Sequence, residues 1–373
     1  MDMNLLVFFF FGVLAVYSAI LLLLVYYWGK DKPSDTGVDQ AFEYPVSLVI
    51  PFRNEINNLP KLLSNLAKQE YANLQVVLVD DHSEDGGEEF VKEWLKSKGH
   101  DNFLLIQSQG EGKKAALERG VAVSNGLIVL TSDADCKLPA QWVKDMVKPF
   151  DDPNIQMVAG PVMSKGGKTM FENFQQIEWG SVLLMTKFFI QIGRPVMCSG
   201  ANMGYRKAAF LHLRGYQGNR DYASGDDSFL LEKMSKRFGA DAIKYLSGKE
   251  VLVRTKARQN WKKLLFQRAR WAKKWNKHQN WENAAGAIIS ALFTVFSILT
   301  VFLLFGGGLI PLLFLLYWSI KVLVEYWSLN KVLKDYEIKL PFLSFMYTSF
   351  FHPLFVVTVV FLALFGNLTW KGR

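Results

Sequence analysis

The sequence predicts an α/β fold, with a mostly parallel sheet flanked by helices, joined to several transmembrane helices. Short apolar runs alternate with helical patterns in the middle of the chain, as in the strand, helix and strand units of a parallel sheet. Long uncharged runs near both ends could each cross a bilayer core of about 30 Å. The strands are predicted at residues 46–51, 75–80, 103–107, 127–132 and 156–159, and the helices at 59–68, 88–98, 114–124 and 169–185.

The first uncharged run, residues 4–28, is predicted to be an N-terminal transmembrane anchor. It is longer than the apolar core of a signal peptide, and it ends in the aromatic residues Tyr26, Tyr27 and Trp28. Aromatic side chains of this kind favour the interface between membrane and water. We therefore expect the anchor to remain uncleaved, with a polar linker at residues 29–44.

The C-terminal region, residues 284–370, is predicted to contain about three further spans. Its first uncharged run extends over residues 283–320, which is too long for a single span. Gly306–Gly308 and Pro311 are expected to divide this run into two helices. A last apolar run, residues 341–370, is predicted to form the remaining span and to be kinked or interrupted near Pro353.

The net charge of +9 is concentrated in one band. Ten basic residues and no acidic residue lie between Arg254 and Lys277, immediately before the second uncharged run. A basic band beside a membrane span argues against nucleic acid as the partner and places that side of the membrane in the cytoplasm. We predict an integral protein of a bacterial-type inner or cell membrane, with its α/β domain, residues 45–255, in the cytoplasm. The two cysteines suit a reducing compartment, and the five histidines lack the spacing of metal ligands.

Polar segments follow four of the predicted strands at the edge where their carboxyl ends meet. The clearest is Asp133 and Asp135, one residue apart, directly after the apolar run at 127–132. Alternate side chains of an extended segment point the same way, so these two carboxylates could share one hard cation. Turn and helix-capping residues would explain any one of these segments, but not all four together.

These segments, PFRNE, VDDHSEDGG, GKKAAL and TSDAD in this order, resemble the nucleotide-binding half of family 2 glycosyltransferases with the GT-A fold. The resemblance implies inverting transfer from a nucleotide-diphosphate sugar, such as a UDP- or GDP-sugar. It implies that Asp81 contacts the base, that Asp133 lies nearest the ribose and that Asp135 ligates Mg²⁺ or Mn²⁺. Two carboxylates facing a diphosphate would need such a cation on charge grounds alone. The predicted donor-binding residues are Pro51, Glu55, Asp81, Lys113 and Asp133, with Asp133 and Asp135 at the metal.

A dinucleotide-binding site is the main alternative at the glycine-rich segment. Gly110, Gly112 and Ala115 fit a G-x-G-x-x-A pattern before a helix. That pattern belongs to the first strand of its unit, whereas this segment follows the third, which counts against a dehydrogenase. It is not a phosphate-binding Walker loop either, because Lys114 stands where Ser or Thr should follow the lysine.

Asp226 and Asp227 open a helix-like segment in the second half of the domain. Acids in a first turn are favoured by the helix dipole, so a purely structural role is one explanation. The chain is also similar here to hyaluronan and chitin synthases, in which the second acid of such a pair takes the proton from the attacking hydroxyl. The resemblance therefore implies that Asp227 is the catalytic base.

The segment QRARW, within a basic amphipathic helix predicted at residues 256–282, matches the Q-x-x-R-W signature of membrane-bound members of the family. Gln267, Arg270 and Trp271 share one face of this helix, while Arg268 lies on a second, mostly apolar face expected to rest on the membrane. The resemblance implies that Gln267, Arg270 and Trp271 are catalytic residues, that Arg270 neutralises the departing diphosphate and that Trp271 packs against the acceptor. A basic interfacial anchor without a catalytic role is the alternative.

These observations predict an inverting hexosyltransferase acting on a membrane-associated acceptor, a lipid or lipid-linked glycan, in cell-envelope glycan or glycolipid synthesis. The layout of one anchor, an α/β domain and a few C-terminal spans is similar to that of ceramide glucosyltransferases, which favours a lipid. A processive polysaccharide synthase is the runner-up. A catalytically inactive membrane scaffold is a remote third, because such a protein would be expected to have lost some of these acids.

Overall fold

The computed structural model describes residues 3–30, 43–220, 225–273 and 281–366. The chain divides into two compact units. The sheet unit comprises Lys32–Ser164 and Phe189–Lys256. The helical unit comprises Met1–Asp31, Lys165–Phe188 and Ala257–Arg373, so residues 165–188 of the predicted α/β domain group with the apolar helices.

The strands and helices are numbered in chain order. The strands are β1 Val46–Phe52, β2 Leu74–Asp80, β3 Phe103–Gln107, β4 Ile128–Thr131, β5 Met157–Ala159, β6 Val162–Ser164, β7 Met203–Arg206, β8 Ile243–Tyr245 and β9 Val253–Thr255. The helices are α1 Met3–Trp28, α2 Leu59–Leu66, α3 Gly87–Lys98, α4 Lys113–Val123, α5 Trp142–Val147, α6 Met170–Gln191, α7 Lys207–His212, α8 Asp226–Phe238, α9 Trp261–Ala272, α10 Trp281–Leu299, α11 Ile310–Asp335 and α12 Phe342–Phe365.

The main sheet has the strand order β3-β2-β1-β4-β7-β5-β8. The first four strands in this order run parallel, and β7 runs antiparallel between β4 and β5. Because β1 to β4 share one direction, the polar segments that follow them meet at one edge of the sheet, as predicted. The strands β6 and β9 form a separate parallel pair.

Close packing of α4 on the sheet explains one of the glycines. A Cβ atom on Gly120 would lie 2.3 Å from Val49 Cγ1 and 3.0 Å from Val79 Cγ2, so only glycine allows the helix to approach β1 and β2 this closely. Val49 and Val79 are fully buried in the core that α4 covers. This contact fixes the start of α4, and therefore Lys113, at the strand ends.

The predicted strands and helices of the sheet unit are confirmed to within one or two residues, with one correction. Leu127, predicted to begin a buried strand, lies outside β4 and its relative exposure is 59%. Its backbone N–H still donates to the Pro45 carbonyl at 2.7 Å, so the chain is held beside β1 while the side chain faces outward.

Within the described residues, three helices are long and apolar enough to cross a membrane: Asn4–Trp28, Ile310–Asp335 and Phe342–Phe365. The segment Ile289–Phe305 is apolar but shorter. The chain breaks at Gly306 as predicted, and α11 begins at Ile310. The helix α12 continues through Pro353 without interruption.

The helices α6 and α9 pack against α12 inside the helical unit. Phe174 of α6, Leu264 of α9, and Phe355 and Val359 of α12 form one buried apolar cluster, with Trp261 at its edge. The face of α9 that was expected to rest on the membrane is therefore covered by protein.

Candidate active site

A three-membered charge cluster lies where β4 ends and α4 and α8 begin. The ammonium group of Lys113 is 2.7 Å from Asp133 Oδ1 and 2.9 Å from Asp226 Oδ2. The side chains of Lys113, Asp133 and Asp226 are 22%, 38% and 10% exposed, so the cluster sits at a partly open edge. Lys113 thus joins a predicted donor-binding acid to the helix that carries the predicted base.

The pKa of Lys113 is raised above its ordinary value. Burial by itself would lower the pKa, but the two carboxylates of Asp133 and Asp226 outweigh burial and favour the ammonium form. Lys113 therefore stays charged throughout the physiological pH range and is held as a cation at the strand ends.

The backbone of Gly200 lies directly against this charge cluster. A Cβ atom at this position would lie 2.6 Å from Asp226 Oδ2 and 3.2 Å from Lys113 Nζ. Residue 200 must therefore lack a side chain if the lysine and the aspartate are to meet.

We expect Gly200→Ala to separate Lys113 from Asp226 and to lower the free energy of unfolding by about 1–3 kcal/mol, the range for overpacking a tight site. Gly86→Ala is not a suitable control because Gly86 has φ +81°. Gly12→Ala is suitable, since a Cβ atom there meets nothing within 4 Å. Chemical denaturation in detergent measures the stability of both variants. Equal stability of Gly200→Ala and Gly12→Ala would contradict the close approach of Gly200 to Asp226 and Lys113.

The two acids at the start of α8 have different surroundings. Asp226 is buried and paired with Lys113, whereas Asp227 is partly exposed. The backbone N–H of Gly200 donates to Asp227 Oδ2 at 3.3 Å, and that of Ser228 donates to Oδ1 at 2.7 Å. Of the pair, Asp227 is therefore the acid more open to a substrate hydroxyl.

Asp81 lies 1% exposed at the end of β2. Its two carboxylate oxygens accept the Gly112 N–H at 2.9 and 3.1 Å. Gly112 has φ +91° and precedes α4, so this bond fixes the glycine-rich turn that presents Lys113. The predicted contact of Asp81 with a nucleobase stays a prediction.

The remaining donor-side residues lie at the ends of β1 and β4. Pro51 is buried within β1, and the Glu55 carboxylate accepts a hydrogen bond from the Asn58 amide just before α2. The Cys136 thiol lies 3.6 Å from Asp135 Oδ1. Burial raises the pKa of Cys136, and the nearby carboxylates of Asp135 and Asp133 raise it further, so this thiol stays protonated.

Comparisons with known proteins identify the domain. Residues 47–214 match the sequence model of Glycosyl transferase family 2. This part of the chain is therefore similar to a family 2 glycosyltransferase domain. The match includes Asp81, Lys113, Asp133 and Gly200, whereas Asp226 and Asp227 follow it.

Two curated relatives and one solved structure are similar to this chain. Glycosyltransferase AglE of Haloferax volcanii is 32% identical over 120 residues, which cover 31% of this chain and 39% of that protein. Undecaprenyl-phosphate 4-deoxy-4-formamido-L-arabinose transferase of Aeromonas hydrophila is 33% identical over 106 residues, which cover 28% and 32%. The chain thus spans about a third of the length of these relatives.

The solved structure is the mannosyltransferase PcManGT from Pyrobaculum calidifontis, in complex with GDP-Man and Mn²⁺. Its TM-score to this chain is 0.57, at 16% identity and 98% coverage of both chains. At this identity the similarity establishes the fold, and it confirms the predicted GT-A architecture.

The chemistry of Asp133 and Asp135 fits a divalent cation completed by substrate. Among the residues that the structure describes, no three His, Cys, Asp or Glu side chains are grouped as a metal site. Mg²⁺ in phosphate-transfer sites commonly uses one or two carboxylates together with substrate phosphates and water. Two partly exposed carboxylates on one strand end supply that number of ligands.

Three of the predicted catalytic residues, Gln267, Arg270 and Trp271, lie on α9 of the helical unit. The Trp271 ring packs edge-on against Trp179 with centroids 5.7 Å apart, and Arg270 is partly exposed. The buried arginine of this segment is Arg268. Sequence reasoning assigned Arg268 to the apolar face but did not identify Glu178 and Trp179, the residues that it contacts.

Proposed function

We propose that the protein transfers a sugar, with inversion, from a nucleotide-diphosphate sugar to a hydroxyl or phosphate oxygen of a membrane-associated lipid. The observation that carries the proposal is the charge cluster of Lys113, Asp133 and Asp226 at the strand ends of a family 2 domain, with Asp227 beside it. The cluster brings Asp133, a predicted donor-binding acid, together with Asp226, the neighbour of the predicted base, at the carboxyl ends of the strands.

In this proposal, Asp227 holds the acceptor oxygen and removes its proton if the acceptor is a hydroxyl. A bond forms between that oxygen and the anomeric carbon while the bond from that carbon to the diphosphate breaks on the opposite face. Asp133 and Asp135 would hold Mg²⁺ or Mn²⁺, which supplies charge neutralisation at the leaving diphosphate when bound. Lys113 adds a fixed positive charge at the same edge of the sheet. The hydrogen bond from the Gly112 N–H to Asp81 holds the turn that precedes Lys113.

Three features support a lipid acceptor that is reached from the cytoplasmic side of a membrane. The chain has three helices of spanning length and composition among its described residues. One of its relatives is an undecaprenyl-phosphate sugar transferase. The basic band around α9 favours a cytoplasmic orientation for the neighbouring chain.

Product analysis tests the proposal. Purified protein in nanodiscs, supplied with UDP- and GDP-sugars, Mn²⁺ and a polyprenyl phosphate, is expected to yield a lipid carrying one sugar with inverted anomeric configuration by NMR. A long glycan chain would instead identify a polysaccharide synthase. No transfer from any donor would contradict the enzymatic assignment.

Asp135→Asn is expected to abolish the metal dependence of donor binding. The amide keeps the size of the side chain but removes the negative charge that a divalent cation requires. Titration of nucleoside diphosphate with and without Mn²⁺ should show a metal-dependent gain in affinity in the wild type and little or none in the variant. Asp151→Asn, at a carboxylate outside the site, is the matched control, and an unchanged metal dependence in Asp135→Asn would refute the role of Asp135.

A further inference from the structure

A buried ion pair in the helical unit joins α6 to α9. Arg268 Nε donates to Glu178 Oε1 at 2.6 Å, and Arg268 Nη2 donates to Glu178 Oε2 at 2.6 Å. The side chains are 7% and 8% exposed. The ion pair is bidentate, because it uses both oxygens of the carboxylate and two of the guanidinium nitrogens.

The same guanidinium also contacts two residues of the Q-x-x-R-W segment. Arg268 Nη1 donates to Gln267 Oε1 at 2.8 Å. The guanidinium carbon lies 4.3 Å from the centroid of the Trp271 ring and 5.1 Å from that of Trp179. Arg268 thus holds the side chains of Gln267 and Trp271 at once, although it is not itself part of the signature.

A stability role alone does not account for this arrangement. Replacing a buried ion pair by neutral residues often costs a protein little or nothing, whereas removing one partner leaves an uncompensated charge and costs much more. Arg268 is also occupied by Glu178 and Gln267, so it is not available to a phosphate group. The specific consequence of the pair is the fixed orientation of Gln267 and Trp271.

We propose that Glu178 and Arg268 are positioning residues for sugar transfer, which orient Gln267 and Trp271 through the guanidinium of Arg268. This inference rests on the proposed function and on the part in transfer that the Q-x-x-R-W resemblance implies for Gln267 and Trp271. It also distinguishes the two arginines of the segment: Arg268 is buried in the ion pair, whereas the side chain of Arg270 is partly exposed.

The test compares Glu178→Gln, Arg268→Gln and the double variant in nanodiscs, measuring thermal stability, donor KM and kcat for transfer. The single variants should lose stability because each leaves one buried charge. The double variant should regain stability, since neither charge remains, but its kcat should stay roughly tenfold or more below wild type because Gln267 and Trp271 lose their support. The donor KM should be unchanged in the double variant.

Lys321 and Glu325 supply the matched control. They form another buried ion pair of the helical unit, 2.6 Å apart on α11, and their side chains are 6% and 13% exposed. The neutral variant Lys321→Gln with Glu325→Gln should keep the wild-type kcat. Recovery of kcat together with stability in the Glu178 and Arg268 double variant would overturn the inference. Absence of transfer in the wild type would instead refute the proposed function, so the two failures are distinguishable.

Discussion

Asp227→Asn is expected to lower kcat for sugar transfer by about 10²–10⁴-fold, the usual contribution of a general base. The amide oxygen can keep the 2.7 Å hydrogen bond from the Ser228 N–H, whereas the amide nitrogen cannot accept the longer bond from the Gly200 N–H, so only a small loss of stability is expected. The amide cannot accept a proton from the acceptor at neutral pH. Transfer of labelled sugar in nanodiscs, with the circular dichroism spectrum as a fold check, measures the effect.

Asp226→Asn is the comparison variant for Asp227→Asn. Asp226 is paired with Lys113 and buried, so its neutralisation should lower stability and donor affinity more than it lowers the chemical step. If Asp226→Asn reduces kcat more than Asp227→Asn does, the assignment of the base to Asp227 is wrong.

Lys113→Met is expected to weaken donor binding strongly and to destabilise the sheet unit. Without the ammonium group, Asp133 and the buried Asp226 face each other uncompensated. Removing one partner of a fully buried pair costs about 3–5 kcal/mol, and partial exposure of this cluster reduces the expected loss to about 1–3 kcal/mol. Denaturant titration measures the stability change, and nucleotide titration measures the loss of donor affinity.

Lys92→Met provides the matched control for Lys113→Met. Lys92 pairs with Glu88 at 2.7 Å on the exposed face of α3, and pairs of this kind contribute only about 0.3–0.5 kcal/mol. If Lys113→Met were as mild as Lys92→Met in both measurements, the charge cluster would have no part in donor binding.

Local sequence patterns predicted β1 to β4 well because each of these strands is a short apolar run with polar residues at its end. The misplaced boundary at Leu127 has an identifiable cause. An apolar residue was assigned to the buried strand, whereas it precedes β4 and is held there by its backbone bond to Pro45. Apolar character alone does not distinguish these two situations.

The paired partners within the site could not be read from the sequence. Lys113 was recognised as a donor-side cation, but its contact with Asp226 depends on how α4 and α8 meet at the strand ends. The close approach of Gly200 to that ion pair is likewise visible only in three dimensions.

The same limit applies to α9. Helical periodicity placed Arg268 on the apolar face that was expected to rest on the membrane, and the signature drew attention to Arg270. The partner of Arg268 is Glu178, 90 residues earlier in the chain, and no local pattern connects the two. The break before α11 was easier to predict, since the glycines at 306–308 lie between the 3-10 segment Thr300–Phe305 and Ile310, where α11 begins.

Donor binding by purified protein tests the central claim most directly. A panel of UDP- and GDP-sugars is added with Mn²⁺ or with EDTA, and the unfolding temperature of wild type and Asp135→Asn is recorded. We predict that at least one nucleotide sugar raises the wild-type Tm only when Mn²⁺ is present, and that Asp135→Asn shows no such rise. Stabilisation that is equal in EDTA, or no stabilisation by any nucleotide sugar, would contradict a metal-dependent donor site at these strand ends.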